Sequence, residues 1–148
     1  MPIPALQENG LLPEGIHDCT IEEISERFGR FQTSDMRPRL NSGLVKYLEE
    51  LKEANIGKYL IVDGSFITCK DEPNDIDVLL VAKDDYVPTE EMPPFKKNAA
   101  SSKYINKYHK LDFHFGWDGD NTSLEYLALY QDVKSQPGIK KGILKISL

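Results

Sequence analysis

The sequence predicts an α/β protein of the α+β kind, one domain in which helices and strands are mixed. Three observations predict it. Residues 58–81 hold two apolar runs of strand length, Tyr59 to Val62 and Val78 to Val81, joined by a polar stretch. Residues 110–116 alternate strictly, with Leu111, Phe113 and Phe115 on one face and Asp112 and His114 on the other. Residues 37–54 instead repeat Leu40, Leu44, Leu48 and Leu51 at helical spacing, with Lys46, Glu49, Glu50, Lys52 and Glu53 on the solvated side.

A chain of 148 residues suffices for one core without staples. Its 40% hydrophobic and 28% charged residues are ordinary for a globular protein. The net charge of −6 argues against general DNA or RNA coating, which rests on many cationic contacts to phosphate. Cys19 and Cys69 form no framework and no ligand spacing, so a reducing, cytoplasmic setting is expected. The first residues lack a basic segment followed by an apolar run, so no signal peptide is expected. No apolar stretch approaches the roughly 18 residues of a membrane span, so no membrane contact is expected.

In chain order, residues 1–19 are rich in Pro and Gly and read as an irregular arm on the surface. Thr20 and Glu23 form a capping box before Ile21, Ile24 and Phe28, which predicts a short helix stopping at Gly29. The leucine helix follows, with Gly57 expected just beyond its end. After the two buried strands, residues 83–98 carry three prolines and read as a long loop. Residues 99–109 form a further helix capped by Ser101 or Ser102. Beyond the alternating strand, residues 117–121 are turn material, and Thr122 with Glu125 repeats the capping-box pattern before Leu124, Leu127, Ala128 and Val133. Residues 139–148 predict a last strand, with Lys140 and Lys141 at its solvated edge.

The chemistry-bearing residues lie on the strands. Asp75 and Asp77 are separated by one residue and share a face, and two adjacent carboxylates repel unless a cation or proton sits between them. If the alternating strand is a neighbour, Asp112 joins them. Three carboxylates suit Mg²⁺ or Mn²⁺, which take octahedral oxygen ligands and are held partly by substrate phosphate. Gly64 and Ser65, just past the first buried strand, allow close backbone approach and a phosphate seat at a helix N-terminus. Metal and phosphate seat together predict phosphoryl or nucleotidyl transfer. Asp63 reads as a turn cap, with a part in the metal field as its alternative. His114 shares the face of Asp112 and reads as exposed or structural, with a ligand or base role as the alternative. Asp118 and Asp120 sit in a turn that lacks the ligand ladder of a calcium loop.

Gly64-Ser65, nine intervening residues and Asp75-Ile-Asp77-Val resemble the Gly-Ser…Asp-x-Asp signature of the DNA polymerase β-like nucleotidyltransferase superfamily. Asp112 matches the place of its third carboxylate. Leu12-Pro-Glu-Gly-Ile-His17, Arg27-Phe28-Gly29, Val62-Asp-Gly-Ser-Phe66 with Thr68, and Lys141-Gly142-Ile143 further resemble a family of small bacterial nucleotidyltransferase-like proteins. The resemblance implies a minimal nucleotidyltransferase fold, a small mixed sheet flanked by helices. It implies that Asp75, Asp77 and Asp112 bind two divalent metals. Asp112 would also help deprotonate the attacking hydroxyl, and Gly64 and Ser65 would hold the β- and γ-phosphates of a nucleoside triphosphate. For triphosphate contacts, Lys70 is the first candidate, with Lys96, Lys97 and Lys103 beside it.

The chain leaves no room for the helical acceptor domain that many such enzymes carry, so the acceptor, a protein or RNA hydroxyl, is expected at the arm, the long loop or a second chain. Small proteins of this kind also resemble components of toxin–antitoxin or phage-defence pairs. The alternative expectation is therefore a non-catalytic partner protein. Nucleotide sensing without transfer is the third.

Overall fold

The computed structural model describes residues 3–148. It has five strands and five α-helices, an α+β arrangement around one mixed sheet. The strands are β1 (Gly15–Asp18), β2 (Gly57–Asp63), β3 (Ile76–Ala82), β4 (Leu111–Trp117) and β5 (Gly142–Ser147), and the helices are α1 (Ile21–Phe28), α2 (Met36–Ala54), α3 (Pro94–Asn98), α4 (Ser102–His109) and α5 (Asn121–Gln131). Across the sheet the order is β1-β5-β2-β3-β4. The outer pairs β1–β5 and β3–β4 are parallel, whereas β5–β2 and β2–β3 are antiparallel. No helix among the described residues is long and apolar enough to cross a membrane.

The two faces of the sheet are covered unequally. Leu60, Val62, Val78, Leu80, Phe113, Leu144 and Ile146 turn to the main core, beneath α1, α2 and α4. The leucine stripe of α2 is wholly buried there, as its spacing predicts. Tyr59, Ile61, Leu79, Val81 and Ile143 turn to the other face, which α5 covers with Tyr126, Leu127 and Tyr130. β3 is an interior strand, apolar on both faces because it is covered on both.

The expected caps hold at α1, where Thr20 and Glu23 form the full capping box, and at α4, where the Ser101 side chain accepts from the Tyr104 amide. Elsewhere the structure corrects the sequence reading. Asn55, in the left-handed region at φ 55°, ends α2, and Gly57 already belongs to β2. Asn tolerates this conformation because its short amide bonds locally. Asp120 rather than Thr122 caps α5, accepting from the Ser123 amide at 2.7 Å. Leu124 is exposed, and the inward residues of α5 are Ser123, Tyr126, Leu127 and Tyr130. The loop at 83–98 ends in α3. The arm at 1–19 is no loose surface segment: Ile3 and Leu12 are buried, and residues 15–18 extend the sheet by pairing with β5. Met1 and Pro2 lie outside the described residues.

One buried cation ties these parts together. Arg37, in the first turn of α2, is 2% exposed. Its guanidinium donates to the carbonyls of Phe28 at 3.1 Å, Phe66 at 2.6 Å and Thr68 at 2.8 Å, and also to that of Lys70. The planar fork of Arg can serve several acceptors at once, which an ammonium cannot. Arg37 thereby fixes the segment after β2 against the end of α1. Removing it leaves buried carbonyls without donors. We expect Arg37→Ala to lower unfolding free energy by about 3 kcal/mol or more in urea titrations, and Arg37→Lys to recover only part. An unchanged midpoint for Arg37→Ala would show that the clamp is not needed.

Candidate functional site

β2 ends on Asp63, β3 carries Asp77 at its second position, and β4 carries Asp112 at its second. Asp63 pairs directly with Asp77, and Asp77 with Asp112. Side chains of directly paired residues stand on the same face. Three carboxylates therefore form one row across three adjacent strands, on the face that α5 covers.

This row forms the floor of a cleft of about 450 Å³. Gly64 and Ser65 form one rim. Tyr126, Leu129 and Tyr130 of α5 supply an aromatic and apolar wall, and Lys134 and Lys141 line the cleft from the segment between α5 and β5. Gly64 has φ 101°, a conformation open in practice only to glycine. A Cβ there would lie 3.3 Å from both the amide nitrogen and Oδ2 of Asp77. The backbone after β2 thus presses directly against the central acid. Past it, Ser65–Ile67 makes a single 3-10 turn, held by the Thr68 hydroxyl donating to the Ser65 carbonyl at 2.6 Å. The expected helix N-terminus is no more than this turn.

Burial and like charge set the electrostatics. Asp77 is pushed up to about 7, first by burial and then by the charges of Asp63, Asp75 and Asp112. Asp63 is raised by burial against the opposing pull of Lys141, whose Nζ lies 2.8 Å from Asp63 Oδ1. The contact is an ion pair between two nearly buried side chains. Asp112 is half exposed, with His114 Nε2 at 3.6 Å. The His114 ring in turn stacks on Tyr126, centroids 4.2 Å apart. The Tyr130 hydroxyl is held protonated by burial and by the three acids, and it donates to the Val78 carbonyl at 3.3 Å.

The structure gathers some of the expected residues and disperses others. Gly64, Ser65, Asp77, Asp112 and His114 meet in the cleft. Asp75 precedes β3, is exposed and lines no part of the cleft, although its charge reaches Asp77. Lys70 is exposed on the far side of the turn, where its carbonyl serves Arg37. Lys96, Lys97 and Lys103 ride on α3 and α4, which pack on the opposite face. The cleft's lysines are Lys134 and Lys141, and Lys141 is no solvated edge residue, with a side chain only 15% exposed. Asp63 joins the row instead of capping a turn. The strand period could have shown this, since Tyr59, Ile61 and Asp63 share a face. No sequence signal marks Lys134, Tyr126 or Tyr130, because the ends of α5 and β5 come to the cleft only through folding.

A divalent cation would find two protein ligands on this floor, Asp77 and Asp112. Among the described residues no group of three or more His, Cys, Asp or Glu side chains closes around one point. Two paired carboxylates, Asp77 and Asp112, do stand side by side. Hard oxygen ligands of this number suit Mg²⁺ or Mn²⁺, which complete their shell with water and substrate phosphate.

A family sequence profile matches residues 4–147, nearly the whole described chain. The chain belongs to family DUF6932. This is a family of unknown function. No curated protein and no solved structure matches the chain.

The raised Asp77 gives a test of the row. A carboxyl with a folded value above its unfolded one contributes stability present below about 3.8 and lost as pH rises through about 7. Asp77→Asn carries no such loss. In metal-free thermal melts, the variant's advantage over the wild type should grow from pH 4 to pH 7 and level off above. A difference independent of pH would mean that the row does not repel as its geometry requires.

Proposed function

We propose that this chain is a metal-dependent nucleotidyltransferase, moving a nucleoside monophosphate from a nucleoside triphosphate to a hydroxyl acceptor. The observation that carries the reading is the contact between the Gly64 turn and Asp77: a glycine-only bend and a paired-carboxylate floor share one cleft. Bound on Asp77 and Asp112, Mg²⁺ or Mn²⁺ would supply charge neutralisation at the phosphates. The chain's own residues do the rest. Gly64 and Ser65 receive the terminal phosphates at the turn, and Lys134, exposed at the cleft mouth, adds a cation to them. Asp112, the most accessible acid of the row, accepts the proton of the attacking hydroxyl. The hydroxyl oxygen bonds to the α-phosphorus, and the bond to pyrophosphate breaks opposite it. The stacked rings of His114 and Tyr126 offer a planar wall to a base or an acceptor.

The resemblance to DNA polymerase β-like nucleotidyltransferases supports the same reading on Gly64, Ser65, Asp77 and Asp112. It gives Asp75 a metal ligand's role, one that its exposed position supports less well than that of Asp77. A cytoplasmic setting goes with this proposal, since Cys19 and Cys69 are both free thiols.

A second reading, the non-catalytic partner protein of a toxin–antitoxin or phage-defence pair, is favoured by one feature. Leu124, Leu129 and Ile139 stand 54%, 52% and 40% exposed close to the cleft wall, an apolar margin that a partner chain could cover.

Titration of a fluorescent ATP analogue with Mg²⁺, followed by product analysis with α-labelled triphosphates, tests the choice. The wild type should bind, and Asp77→Ala and Asp112→Ala should weaken binding at least about 10-fold, a loss of some 1.4 kcal/mol or more. Absence of any triphosphate binding sinks the transferase. Binding without product in the presence of protein and RNA acceptors favours the partner or sensing role.

A further inference from the structure

The acid row holds three carboxylates, yet they are not equivalent. Asp63 and Lys141 face each other with side chains 5% and 15% exposed. The backbone at Lys141 is fixed on both sides. Its own amide donates to the Gln131 carbonyl at 2.8 Å, and the next amide, of Gly142, donates to the Leu12 carbonyl at 2.9 Å. A Cβ on Gly142 would come within 2.1 Å of the Pro13 carbonyl oxygen, so the chain is pressed between the N-terminal arm and the end of α5. Lys141 is thus delivered to Asp63 by the fold.

In a two-cation site the ions lie roughly 3.5–4 Å apart, and a row of three carboxylates offers each ion the central acid and one flank. Asp77 is central and Asp112 is open on one flank. The other flank, Asp63, already carries an ammonium. Asp75 lines no part of the cleft. We infer that the cleft takes one divalent cation, on Asp77 and Asp112, and that Lys141 is a positioning residue standing as a built-in second cation on Asp63. This rests on the metal-dependent reading above, and it departs from the two-metal arrangement that the resemblance implies. A fixed ammonium neutralises Asp63 without leaving with product, so only one ion need be recruited with each nucleotide.

Anomalous diffraction at the manganese edge, from crystals of the full chain grown with Mn²⁺ and α,β-methylene-ATP, reads the count directly. One peak is expected, within coordination distance of Asp77 and Asp112 and remote from Asp63. Two peaks in the wild type overturn the inference and leave the metal-dependent reading standing. No peak, with the analogue bound or absent, overturns both. Lys141→Met should admit a second peak at Asp63, and a count that stays at one overturns the inference. Lys141→Met leaves Asp63 unpaired, which costs stability, so the double variant Asp63→Asn/Lys141→Met, which buries no lone charge, supplies a second check. It should keep the single peak, and losing that peak would make Asp63 a ligand and overturn the inference.

Discussion

The register of β3 against both its neighbours is the constraint on which the site depends. Backbone pairing places Asp77 opposite Asp63 on one side and Asp112 on the other. Like charges directly opposite one another oppose strand pairing. At about 5 Å and an effective dielectric near 20, each such repulsion would be on the order of 3 kcal/mol if both groups were ionised. The same strand buries Val78, Leu79, Leu80 and Val81 completely. At roughly 1.5–3 kcal/mol for each buried aliphatic side chain, their burial outweighs the repulsion. A one-residue slip would turn Asp77 from the cleft to the face of the main core. The apolar run therefore holds the acids where they would not place themselves.

What the fold cannot remove, it manages locally. Asp77 holds its proton up to about pH 7, Asp63 takes Lys141, and Asp112 leans toward solvent and His114. These are three answers to one electrostatic problem, and they differ because the residues differ in burial. The innermost acid is matched with a lysine, the central one titrates near neutrality, and the outermost needs least help.

Support for the Gly64 side of the cleft comes from a distance. The turn after Gly64 has too few residues to hold its own shape, and only three of them make helical bonds. Arg37 on α2 binds the carbonyls of Phe66, Thr68 and Lys70 from beneath, and its guanidinium lies 5.5 Å from the Phe66 ring centroid. The main core and the cleft are consequently coupled: α2 packs its leucines against one face of the sheet and, through Arg37, shapes the loop that opens on the other.

The sequence by itself determined the elements whose cause is local. The α1 capping box, the α2 stripe, the alternation in β4 and the apolar runs of β2 and β3 all follow from periodicity within a single segment. So does the pairing of Gly64 and Ser65 with an acidic strand, and thus the carboxylate character of the site. Tertiary structure alone decided which acids meet. Asp75 and Asp77 look equivalent in sequence, but only Asp77 has a partner on each side, because β3 begins at Ile76. Asp63 and Lys141 lie far apart along the chain and become an ion pair only when β5 inserts between β1 and β2. The arm at 1–19 reads as irregular for the same reason: its order comes from pairing with β5, and no local pattern can announce a partner at the other end of the chain.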